Sequence, residues 1–79
     1  MNIYLLWQGD NNGYDTYDSC VVIAKNEDEA RKIHPNGDES WDHPYGTWAS
    51  RPEYVKVELI GVTVPGQISG VVVSSFNAG

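Results

Sequence analysis

Ser19-Cys20-Val21-Val22-Ile23-Ala24-Lys25 runs straight into Asn26-Glu27-Asp28-Glu29-Ala30-Arg31-Lys32-Ile33-His34-Pro35, and this junction decides the fold. The first half is apolar and branched without a break in its middle. That predicts a strand over Ser19–Lys25, either central in a sheet or buried on both faces. The second half opens with a good N-cap, Asn26, and Glu29 stands three residues later where a capping-box partner belongs. Glu27 and Asp28 suit the positive end of a helix dipole. Glu27 with Arg31, and Asp28 with Lys32, are acid-first pairs at i,i+4. Ala30 and Ile33 share a face, and Pro35 stops the helix after His34. So short a helix is held by packing on a sheet.

On the N-terminal side, Ile3–Gln8 is an aromatic and branched run that predicts a first strand. Gly9-Asp10-Asn11-Asn12-Gly13 follows, and Asn12-Gly13 is a strong turn dipeptide. Tyr14-Asp15-Thr16-Tyr17-Asp18 extends the second strand or stays in the loop. On the C-terminal side, residues 35–52 have no period and are rich in Gly, Pro, Asp and aromatics; segments of that kind are usually functional or mobile. Ser50 and Glu53 have capping-box spacing around Pro52, which predicts one short helical turn.

A third strand alternates cleanly, with Val55, Val57 and Leu59 on one face and Lys56 and Glu58 on the other. The phase then flips to Ile60, Val62 and Val64 around Gly61, which predicts a β-bulge. Pro65-Gly66 makes a turn, and Gly70–Phe76 gives a fourth strand. The order β-β-α-β-β describes a single α+β domain over residues 1–79, with a mainly antiparallel four-stranded sheet and one short helix on one face. One helix covers only part of one face. The other must be covered by the 35–52 loop, by a second copy, or by a partner. Phe76, which continues the alternation of the fourth strand, is expected to bury its ring against the helix or the first strand, so that Phe76→Ala would cost on the order of 3 kcal/mol.

Composition narrows the function classes. The chain has 79 residues, 41% hydrophobic and 20% charged, enough for a modest core and unlike a disordered segment. Five Lys and Arg against eleven Asp and Glu leave a net charge of −6. That argues against direct nucleic-acid binding, which requires a basic footprint on the phosphates. A single cysteine rules out an internal disulfide framework and points to a reducing compartment. The apolar runs are too short to span a bilayer, and no basic segment precedes the first of them, so neither membrane insertion nor secretion is expected.

Catalytic and metal chemistry find little footing. Cys20, His34 and His43 are the only soft ligands, without CxxC, HxxxH or HExxH spacing, and Cys20 reads as core. Asp10-Asn11-Asn12-Gly13 with Asp15 and Asp18 lacks the glycine and glutamate register of a calcium loop. The serines lie in no GxSxG elbow, and no phosphate-cradling glycine loop is present. The expectation is therefore a protein without catalytic residues, metal or cofactor.

Aromatics beside polar groups in irregular segments are better candidates, because rings supply contact area at low entropic cost. Trp41, Tyr45 and Trp48 accompany His43 and Arg51 in the long loop, and Tyr14 and Tyr17 accompany Asp15 and Asp18 in the shorter one. These nine residues form the candidate binding set. The alternative for Trp41 and Trp48 is that they fold back onto the bare sheet face.

Tyr14-Asp15-Thr16-Tyr17-Asp18-Ser19, the segment Glu27 to His34 closed by Pro35, and Ser75-Phe76-Asn77-Ala78-Gly79 together resemble a family of small uncharacterised accessory proteins encoded by tailed bacteriophages. The resemblance runs through most of the chain and is weakest in 35–52. It implies expression in a bacterial host's cytoplasm and action by stoichiometric binding, as in inhibitors of CRISPR effectors and other host defences. The partner would then be a host protein, or a second copy of the chain in a homo-oligomer. The other expectation is a sponge for a nucleotide signal, contacted by Tyr14, Tyr17, Trp48, Arg31 and Arg51; five basic residues are few for an anionic ligand.

Overall fold

The computed structural model describes residues 1–11, 13, 15–37 and 46–77. Four strands, β1 (Asn2–Trp7), β2 (Thr16–Ala24), β3 (Lys56–Val62) and β4 (Gly70–Asn77), form one antiparallel sheet. The order across it is β3-β1-β2-β4. One helix, α1 (Glu27–Arg31), lies between β2 and β3 in sequence and packs over β2, β1 and β3. This is the small α+β fold that the strand and helix signals predict.

β1 and β2 are the central pair, in register from Asn2 opposite Ala24 to Trp7 opposite Ser19. Within the ambiguous stretch Thr16–Asp18 belongs to β2, while Asp15 stays in the turn before it. Along β1, Tyr4 and Leu6 are buried while Ile3, Leu5 and Trp7 are half-buried. Along β2, Cys20, Val22 and Ala24 are buried while Val21 and Ile23 are half-buried. This is the period-two signature of a sheet with one covered face. The uninterrupted apolar run of β2 therefore marks a central strand and not one buried on both sides.

The core occupies the covered face: Tyr4, Leu6, Cys20, Val22 and Ala24 from the sheet meet Ala30 of α1 and Trp48, Ala49 and Val55 from the segment before β3. The described end of the long loop thus shares the helix's face and leaves the other open. The predicted bulge is present. Ile3 faces Gly61 while Tyr4 faces Leu59, so Ile60 is the extra residue. A side chain at Gly61 would meet Ile3 Cδ1 at 3.6 Å.

Three expectations are corrected. The helix ends at Arg31 and not at His34. Pro35 disfavours helical backbone at His34, and the chain leaves through tighter i→i−3 bonds, Lys32 N–H to Glu29 O at 3.1 Å and Ile33 N–H to Ala30 O at 3.1 Å. The helical turn at Pro52–Tyr54 exists, but Arg51 is its N-cap without a side-chain bond, because the Ser50 hydroxyl is given to Asp10. Phe76 is 47% exposed and leans on Tyr17 of β2, ring centroids 4.8 Å apart. It sits on an outer strand, where among the described residues no element lies beyond it to enclose the ring.

Asn26 caps α1 as expected, its Oδ1 accepting from Glu29 N–H at 2.9 Å. Asn26→Ala is expected to cost about 1 kcal/mol, lowering the melting temperature by roughly 4–8 °C. Leu6→Ala, inside the core, should cost about 3 kcal/mol, whereas Phe76→Ala should cost only on the order of 1 kcal/mol. Denaturant midpoints of the two variants, measured side by side, test this inversion of the sequence expectation.

Candidate interaction surface

The open face is built by strand register. Leu5 stands opposite Glu58 on β3 and Val21 on β2, and Val21 stands opposite Val73 on β4. The next row is Lys56, Trp7, Ser19 and Ser75, and the row on the other side is Gly61, Ile3, Ile23 and Gly70. Residues directly opposite share a face, so Ile3, Leu5, Trp7, Val21, Ile23 and Val73 form one apolar surface, bordered on β3 by Lys56 and Glu58. A shallow depression of about 110 Å³ lies at its middle, lined by Leu5, Val21, Val73, Ser19 and Ser75 together with Cys20 and Ser74. Among the described residues, nothing from the helix or the connecting segments packs on this face. An apolar surface rimmed by polar groups is the usual mark of an interaction site.

The other clefts are less suited to a ligand. One of about 380 Å³ between α1 and the Pro52–Tyr54 turn is lined by Asp28, Arg31, Lys32, Pro52 and Glu53, so its cations face carboxylates. Arg31 is already committed, with Nη1 at 3.8 Å from Glu27 Oε2 and Nε donating to Val55 O at 3.3 Å. Among the described residues no group of three His, Cys, Asp or Glu side chains could hold a metal ion. No described helix is long and apolar enough to cross a membrane.

The candidate binding residues are placed as follows. Tyr14, Trp41, His43 and Tyr45 lie outside the described residues. Asp15 is exposed in left-handed backbone, φ 57°, a region that Asp tolerates better than most residues. Asp18 is exposed where β2 bulges against β4, and it accepts from the Ser19 hydroxyl at 3.0 Å. Tyr17 is half-buried, edge-on to the buried His34 at 6.1 Å. Trp48 is 2% exposed, a core residue, and Arg51 is exposed.

The two loop segments are brought together by polar bonds. Tyr17 N–H donates to Thr47 O at 2.7 Å. Gln8 spans the β1–β2 turn, donating to Asn11 O and Tyr17 O and accepting from Asn11 N–H. The Asn11 amide donates in turn to Gly46 O and Trp48 O. Asp10 clamps the same segment, accepting from Ser50 N–H and its hydroxyl, both at 2.8 Å. These two bonds, the backbone one first, hold the Asp10 carboxyl below its usual pKa.

The open-face residues Ile3, Leu5, Val21, Ile23 and Val73 were absent from the sequence-derived set. Their signal was the unbroken apolar run of β2, which holds both sheet faces at once. Comparison with protein-family models, with curated proteins and with solved structures finds no match for the chain.

Desolvation pushes the Cys20 thiol up to about 12. A thiol reagent at neutral pH should therefore label the unfolded chain and leave the folded one unlabelled; labelling of both at the same rate would refute the buried placement. The unfolded thiol ionises first, near ~8.5. Stability should accordingly fall as pH rises above that value toward the folded one, and Cys20→Ala should remove this part of the alkaline loss. The Asp10 clamp has the opposite sense: its contribution is present above ~3.9 and is lost as pH falls through the lowered value.

Proposed function

We propose that the chain is a stoichiometric protein-binding module, a phage-encoded accessory protein that acts in a bacterial host's cytoplasm by docking on and inhibiting a component of an antiviral defence, in the manner of an anti-CRISPR protein. The observation that carries the binding half of this reading is the four-stranded sheet with an apolar face to which no described element is applied. Such a face gains free energy from any partner that removes it from water, on the order of 25 cal/mol per Å² of apolar area. The net charge of −6 adds long-range attraction to a basic target, which speeds encounter more than it tightens the complex. The phage setting and the defence target rest on the sequence resemblance alone.

Binding without catalysis is the reading best supported, since the face carries aliphatic and small polar groups and no nucleophile–base pair. The sponge for a nucleotide signal is supported less well. Of its proposed contacts, Trp48 is in the core, Tyr17 is packed against His34 and Phe76, and Arg31 is bonded to Glu27 and Val55.

The test places a charge on the face. Expressed in bacteria that restrict phage through a CRISPR effector, the wild-type chain should restore plaque formation and co-purify in a fixed ratio with a protein of that system. Val21→Lys, folded by circular dichroism, should weaken the complex by tenfold or more and lose the protection, because an unpaired charge would be buried against the partner. A folded Val21→Lys chain that still protects would move the interaction away from this face. A wild-type chain that protects against none of the defence systems tried and binds none of their components would end the inhibitor reading.

A further inference from the structure

We infer that the occupant of the open face is an amphipathic α-helix of the partner, laid along β1 and β2 with one charged flank turned to β3; this rests on the protein-binding reading above and names the partner's chemistry. The strand registers draw the outline. Three rows cross the face: Gly61, Ile3, Ile23 and Gly70; then Glu58, Leu5, Val21 and Val73; then Lys56, Trp7, Ser19 and Ser75. The large apolar groups stand on the two central strands, and apart from Val73 the borders carry glycine, serine or charge. From Ile3 to Trp7 this strip is about 14 Å long, on two strands about 4.8 Å apart. A helix about 10 Å across fits it, with roughly nine or ten residues covering its length.

Shape and charge separate a helix from the other occupants. A second sheet would span all four strands and seat its inner side chains on Glu58 and Lys56, burying both charges. A second copy laid face to face would bring a net charge of −6 against −6. A helix follows the strip alone, and its apolar stripe sets one aliphatic side chain in the depression of about 110 Å³ between Leu5, Val21 and Val73. Its flank then meets the β3 border. Glu58 and Lys56 are both exposed. Two residues apart, they lie about 6.7 Å from one another along the strand, close to the rise of about 6 Å between residues four apart on a helix. The flank that complements them carries a Lys or Arg and, four residues away, an Asp or Glu. β4 offers no charge, so the helix has one direction. Turned end for end, it would set its charged pair against Val73 and Ser75.

Two stapled helical peptides, added to the isotope-labelled chain and followed by amide chemical shifts, test the inference. Both carry leucines at i, i+3, i+4 and i+7. On the flank that meets β3, the first places Lys opposite Glu58 and Glu opposite Lys56, four residues apart, and the second reverses them. The first should bind about fivefold more tightly, since two exposed pairs change from repulsion to attraction, and should move the amides of β1 and β2. Glu58→Lys with Lys56→Glu in one chain should exchange the preference, and Val21→Lys should bind neither peptide. The comparison on the wild-type chain stands whether or not these variants fold. Equal affinity for the two peptides, or no saturable shift in β1 and β2 with either, overturns the inference. A chain that takes neither peptide, yet co-purifies with a defence component and loses it in Val21→Lys, keeps the binding reading and overturns the helix alone. A chain that takes the first peptide but binds no defence component keeps the helix and ends the inhibitor reading.

Discussion

The antiparallel pairing of Asn2–Trp7 with Thr16–Ala24 is the interaction on which the rest depends. It places Tyr4 and Leu6 beside Cys20, Val22 and Ala24 on one side, and Ile3, Leu5 and Trp7 beside Ile23, Val21 and Ser19 on the other. β3 and β4 then add to its two edges. Because side chains alternate strictly along a strand, a slip of one residue would exchange the two faces, and the register is held by the burial of the first set. The polar network of Gln8, Asp10 and Asn11 fixes the turn that joins the pair and fastens the Gly46–Ser50 segment to it.

The fold has little with which to cover that sheet. A helix of five residues spans about 7–8 Å along its axis, against four strands spaced about 4.8 Å apart. The structure puts its remaining described cover, Trp48, Ala49 and Val55, on the same side as the helix, so that the described elements close one face and leave the other half-buried. A small domain gains more from one dry core than from two thin ones, since burial must offset the entropy of ordering each residue. The apolar face that the described elements leave uncovered is the consequence, and the proposed binding role rests on it.

Local signals were legible in the sequence because they act over a few residues. The Asn26 cap, the turn at Pro52 and the bulge near Gly61 each follow from short-range sterics or hydrogen bonding, and each is found where those rules place it. The helix ends three residues before His34, since the pull of Pro35 on His34 extends one turn back as tighter bonds. Phe76 departs from its expected burial for a different reason. Its alternation is correct, but burial depends on what lies beyond its strand, and strand order is absent from any local pattern.

The candidate site divides in the same way. Aromatic and acidic residues in loops drew attention to Tyr17, Trp48 and their neighbours, yet Trp48 is core and Tyr17 packs on Phe76 and His34. The amino-acid order by itself determined the strands, the helix start, the charge balance and the fact that one helix cannot cover the sheet, because these depend on neighbours in the chain. Tertiary structure alone decided that Trp48 joins the helix's face, that β4 rather than β1 is an outer strand, and that Leu5, Val21 and Val73 line up across three strands. Those facts depend on which distant segments meet, and register and strand order are set by burial summed over the whole sheet.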